Sequence, residues 1–202
     1  MSTDKNQFDD WLKKNLVRDL VFRALVWLII SGIATYFAIH TLNIQPLDYL
    51  DRMGNSLGRL VNSVGSASIL LCVPALMFKD LEASIKNPTL KAFMGRGFAG
   101  VIRRLAGDLS LWTLGAVITL SSSFLMVATI VEVKRSDYLP LGLFSITALM
   151  MITGVGAINF FVRRSAPTPL TTLTNNPILI SLVYGLATAL LAFIVLKQLQ
   201  FI

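Results

Sequence analysis

Five uncharged apolar stretches dominate this 202-residue chain: Ala24–Leu42, Leu60–Phe78, Leu109–Val131, Leu139–Val162 and Pro177–Leu196. None contains Asp, Glu, Lys or Arg. A helix needs about 20 mostly apolar residues to cross the hydrocarbon core of a bilayer. Lipid offers backbone N–H and C=O groups no partner, so a spanning segment must be a helix or part of a closed barrel. These runs are continuous rather than alternating, which selects helices. The sequence therefore predicts an all-α integral membrane protein, a polytopic helical bundle of about five transmembrane helices.

Two further amphipathic helices are expected at the membrane surface. Before the first span, Phe8, Trp11, Leu12, Leu16 and Leu20 recur at helical spacing, with Asp9, Lys13, Lys14 and Arg18 elsewhere on the wheel. Before the third, Phe98, Val101, Ile102, Leu105 and Leu109 line one face, while Arg103, Arg104 and Asp108 point elsewhere. Such helices lie flat at the interface. The chain then divides into an amphipathic arm (1–23), a first hairpin (24–78), a basic segment (79–109), a second hairpin (110–162), a loop (163–176) and a last span with a short tail (177–202). The first outer connection, Asn43–Asn55, reads as a turn-rich loop because of Gln45-Pro46 and Gly54-Asn55.

Net charge is +7, and its placement matters more than its size. Lys and Arg concentrate in cytoplasmic segments of membrane proteins. The arm holds Lys5, Lys13, Lys14, Arg18 and Arg23. The segment between spans two and three holds Lys79, Lys86, Lys91, Arg96, Arg103 and Arg104, and the loop before span five holds Arg163 and Arg164. The alternate segments carry only Arg52, Arg59, Lys134, Arg135 and Lys197. This predicts a multi-pass protein of the bacterial inner membrane with a cytoplasmic N-terminus. A re-entrant span would move the C-terminus inside. The first span is too long, and the arm before it too acidic (Asp4, Asp9, Asp10, Asp19), for a cleaved signal peptide.

The inventory for chemistry is thin. One histidine, His40, sits at the expected outer end of span one and reads as an interfacial polar residue; the single cysteine, Cys72, reads as a small packing residue. No HExxH, phosphate-binding loop or paired acidic motif occurs. No catalytic residue, metal site or cofactor is expected, and the absence of a carboxylate within the spans counts against an ion-coupled pump.

Three surfaces remain as candidates. Arg59, Asn62 and Ser66, continuing from Asn55, share one face of span two. They read as interhelical hydrogen bonding, worth about 0.6–2 kcal/mol per contact, or as the lining of a wet cavity. Ser181, Gly185 and Ala189 form a small-xxx-small ridge on span five that permits close helix packing. With the hydroxyls of span three (Thr113, Thr119, Ser121, Ser122, Ser123, Thr129), this predicts a homo-oligomer. Lys91, Arg96, Arg103, Arg104, Arg163 and Arg164 make a basic inner face. Anionic lipid headgroups are its simplest partner, and an acidic cytosolic protein the sharper one; direct nucleic-acid binding is not expected, because no base-reading module is present. The expected function is that of a non-enzymatic oligomeric inner-membrane subunit that anchors or signals to a cytosolic effector, sensing membrane perturbation, as in phage defence. The alternative is a homo-oligomeric pore lined by polar faces of spans two and three.

Overall fold

A computed structural model describes residues 15–89, 91, 97–131, 138–164, 168 and 170–198. The described helices are, in order, α1 Leu16–His40, α2 Pro46–Ser84, α3 Phe98–Ile130, α4 Tyr138–Arg163, α5 Leu170–Leu173 and α6 Pro177–Gln198. No strand occurs among the described residues. All but α5 are long and apolar enough to cross a membrane, so the chain has the build of a multi-pass membrane protein.

Local chemistry sets the helix ends. Asn43 adopts a left-handed conformation (φ 53°) just beyond α1, a geometry asparagine tolerates and helix termini favour. The Thr41 and Leu42 amides then close onto the Phe37 carbonyl at 2.9 and 3.3 Å. Pro46 starts α2 at once, its fixed φ suiting a first helical position. The expected loop Asn43–Asn55 is corrected here: only residues 41–45 connect the two helices, and Gly54-Asn55 lies inside α2. The dipeptide reads as a turn, but with no proline beside it to break the backbone ladder the helix simply continues. Asn176-Pro177 opens α6 in the same way, with Asn176 Oδ1 accepting the Ile178 amide at 3.0 Å.

The surface helix expected before span three is not a separate element. Residues 98–130 form one helix of 33 residues, in which Phe98, Val101 and Leu105 are exposed while Ile102 packs against a core. Of the N-terminal arm, Leu16 and Leu20 belong to α1; Phe8, Trp11 and Leu12 lie outside the described residues. At 39 residues, α2 is about 58 Å long, well beyond the ~30 Å hydrocarbon thickness.

The chain packs as two compact units. One draws on Val17–Val64 and Leu111–Ala157. In it the serines of α3 turn inward. Ser122 donates to the Leu28 carbonyl at 2.9 Å, and Thr35 lies 2.9 Å from Ser123 Oγ and 3.2 Å from Tyr49 Oη. Hydroxyls that would be costly in lipid are thereby satisfied between helices. Gly115 makes room for Trp27: a Cβ there would stand 3.1 Å from the indole. Gly115→Val should therefore destabilise this unit by about 1–3 kcal/mol. The readout is thermal loss of the folded peak of detergent-solubilised protein, and an unchanged Tm would show that Trp27 can move aside freely.

The other unit draws on Gly65–Ser110 and on the chain from Ile158 onward. Cys72, Ala75, Ala106 and Val162 form its core, flanked by Leu71, Leu76, Ile102 and Ile158. Small side chains let α2, α3 and α4 approach closely. Cys72 Sγ points at the Ala106 carbonyl at 3.7 Å, in keeping with a packing role. Asn159, fully buried on α4, donates to the Gly107 carbonyl at 2.7 Å and to Ser110 Oγ at 2.8 Å.

Candidate functional site

The buried side of α2 keeps a strict rhythm. Gly65, Ser68, Cys72, Ala75 and Lys79 are buried in steps of three, four, three and four, and Asp80 and Leu81 come next. The small-residue seam therefore runs directly into a charged pair. Lys79 and Asp80 lie just past the expected end of span two at Phe78, where sequence reasoning assigns them to solvent. They are 3% and 0% exposed.

Each charge has a separate set of partners. Lys79 Nζ donates to the Phe161 carbonyl in the last turn of α4, where the helix dipole favours a cation. The Asp80 carboxylate accepts three hydrogen bonds. Thr168 gives its amide at 2.8 Å and also its hydroxyl, and Tyr184, on α6, gives its phenol at 2.7 Å. Thr168 Oγ1 and Tyr184 Oη are themselves 3.1 Å apart. A buried carboxylate is tolerated when such donors replace its water. Thr168 also organises the start of α5. Its carbonyl accepts the Thr171 amide at 3.2 Å, and its hydroxyl lies 3.3 Å from the Leu170 amide.

The basic residues singled out in the sequence do not form one cluster of equivalent groups. Arg103 is half-buried and paired with Glu82 at 3.0 Å. Arg163 lies across Gly107, where a Cβ would meet its side chain at 3.3 Å, with its guanidinium 3.8 Å from the Asp108 carboxylate. Lys91, Arg104 and Arg164 are exposed, and the Arg164 guanidinium stands 5.6 Å from the Phe160 ring centroid. Arg96 lies outside the described residues.

Away from the small-residue seam on α2, Arg59 and Asn62 are exposed and Ser66 is half-buried. Arg59 Nε turns back to the Asn55 carbonyl of its own helix at 3.0 Å. On α6, Ser181, Gly185 and Ala189 are all exposed, and a Cβ at Gly185 would meet nothing within 4 Å. His40 is exposed and stacks on Tyr36, ring centroids 4.3 Å apart. Among the described residues, no group of three or more His, Cys, Asp or Glu gathers where a metal could bind.

The Asp80 site has one sequence signal, the three-four rhythm of small residues leading into Lys79. Its partners, 88 and 104 positions away in the chain, carry none. The fold and these contacts define a class, a helical polytopic membrane protein with a buried charged pair at one end of its longest helix. Comparison of the chain with protein families, curated proteins and solved structures finds no match.

Proposed function

We propose that the protein is a non-enzymatic, homo-oligomeric subunit of the bacterial inner membrane that anchors a soluble cytosolic effector and passes membrane perturbation to it, as in phage defence. The observation that carries this reading is the division among its basic residues. Arg103 and Arg163 are engaged inside the fold, whereas Lys91, Arg104 and Arg164 remain exposed. Exposed cations near the ends of spanning helices suit anionic headgroups and an acidic protein surface alike. The orientation rests on the Lys/Arg distribution. The decisive experiment retrieves tagged protein with its effector at low and high salt. Loss of the effector at high salt is expected, because screening shortens the reach of a surface charge from about 10 Å at 0.1 M to about 3 Å at 1 M.

Orientation has its own test. Lys91→Cys in a Cys72→Ala background should react with an impermeant maleimide in inverted vesicles and stay protected in intact cells. Labelling from outside would reverse the topology and remove the anchoring face from the cytoplasm.

A pore is the second reading, and exposure of Arg59 and Asn62 on α2 is what favours it. Polar side chains at membrane depth turn toward protein or water rather than lipid. In an oligomer this face would meet a second subunit or a wet axis. Purified protein in liposomes distinguishes the two readings by whether it conducts ions without any partner.

A further inference from the structure

The polar start of α2 runs at a depth that belongs to apolar side chains. Tyr49 Oη stands 3.2 Å from Thr35 Oγ1, and Thr35 in turn 2.9 Å from Ser123 Oγ. Thr35 and Ser123 sit well inside the uncharged runs Ala24–Leu42 and Leu109–Val131, so Tyr49 shares their depth. After the short turn at residues 41–45, α2 returns antiparallel to α1. With equal rises along both helices, Leu60 comes level with about Ala24. The first turns of α2 thus descend beside the uncharged run of α1. Yet they carry Asp48, Asp51, Arg52, Asn55, Arg59 and Asn62, all exposed within the protomer. Ionised side chains against hydrocarbon are costly, and such residues turn to protein or water.

The spacing of these residues suits a helix that meets its own copy. Asp48, Arg52, Asn55, Arg59 and Asn62 follow in steps of four, three, four and three, and Asn55-Ser56-Leu57-Gly58 recurs one heptad later as Asn62-Ser63-Val64-Gly65. A seven-residue repeat keeps one seam of a helix turned toward a neighbouring helix. An asparagine in that seam offers both a donor and an acceptor to the same residue of a copy. Asp51 and Arg52 complete the pattern. Successive residues lie about 100° apart around a helix, so these opposite charges flank the seam at nearly one height, on either side of Asn55. Neither is ion-paired with another described residue. We propose that residues 48–62 of α2 form a contact with a second copy of this chain, in a cyclic assembly where Asp51 of one copy pairs with Arg52 of the next. Copies in one membrane share an orientation, so equal heights meet, and opposite charges on the two flanks are complementary around a ring. The inference rests on the homo-oligomeric part of the proposal above and makes no use of an effector.

Association in mild detergent, with subunits counted by native mass spectrometry, tests the pairing. Asp51→Arg sets like charges together between copies and should weaken association about tenfold. Asp51→Arg combined with Arg52→Asp should restore it. Residues one apart on a helix do not face each other, so recovery has to arise between chains. A full oligomer in Asp51→Arg overturns the inference, and so does failure of the double variant to recover. A second measurement uses native membranes. Two Cys72→Ala chains, one with Asp51→Cys and one with Arg52→Cys, are co-expressed and oxidised. Disulfides between positions 51 and 52 should outnumber those joining position 51 to its own copy; equal yields, or none, overturn the contact as well. The homo-oligomer and this contact fail separately. A monomeric parent protein removes both. An intact oligomer without the mixed disulfide removes this contact alone and leaves the face to lipid or to a different membrane protein.

Discussion

Arg104→Glu combined with Arg164→Glu should abolish effector recruitment, weakening it at least tenfold, while the membrane oligomer survives. Both side chains are exposed; Arg164 gives up its place over the Phe160 ring, so Arg104→Glu alone is the cleaner change to the field that an acidic surface meets. Arg103 offers the contrast. Its guanidinium pairs with Glu82, and Arg103→Glu would set two carboxylates against each other. Any loss of binding in that variant would mix docking with local repulsion. A pore should be indifferent to the Arg104/Arg164 pair and should respond instead to Asn62→Leu, which dries the exposed polar face of α2. Size-exclusion chromatography verifies the oligomer, affinity retrieval measures the effector, and liposome conductance measures the pore. Conductance by the purified protein that Asn62→Leu silences, with the effector still bound, would replace anchoring by the pore reading.

The helices were legible because the bilayer imposes one dominant rule, that a continuous uncharged apolar run must be helical. The runs at 139–162 and 177–196 lie within α4 and α6, each a residue or two short of the helix bounds. Where the reading fell short, the reason is that lipid-facing composition marks the membrane segment, not the helix. Helix α2 begins 14 residues before Leu60, because backbone hydrogen bonding does not stop where apolarity does. The same confusion hid Asp80. A charged residue after an apolar run reads as solvent-exposed, yet it continues a buried seam whose rhythm starts at Gly65. Nothing in the sequence links Asp80 to Thr168 and Tyr184, since hydrogen bonds between distant helices leave no periodic trace. The basic residues were found individually, but their division into engaged and exposed depends on Glu82 and Asp108, whose positions only the folded chain supplies.

Gly185→Leu should shift the protein from oligomer toward monomer without harming insertion or the fold of the single chain. The argument rests on the surroundings of Gly185 within one protomer. A Cβ there meets nothing within 4 Å, and Ser181 and Ala189, a turn away on each side, are exposed with it. Enlarging the side chain therefore costs nothing inside the chain. If the ridge forms the contact between copies, a leucine forces two backbones apart and forfeits close packing along the whole seam. Overpacking of this kind costs about 1–3 kcal/mol, about five- to 150-fold in the dissociation constant. Gly154→Leu is the matched control. It too has open space around its Cα and lies on a membrane helix, but it is off the ridge and should leave association unchanged. Native mass spectrometry from mild detergent counts the subunits. A full oligomer in Gly185→Leu would mean that this face of α6 meets lipid, and the copies would then have to associate through another surface, with the exposed polar face of α2 the next to be tested.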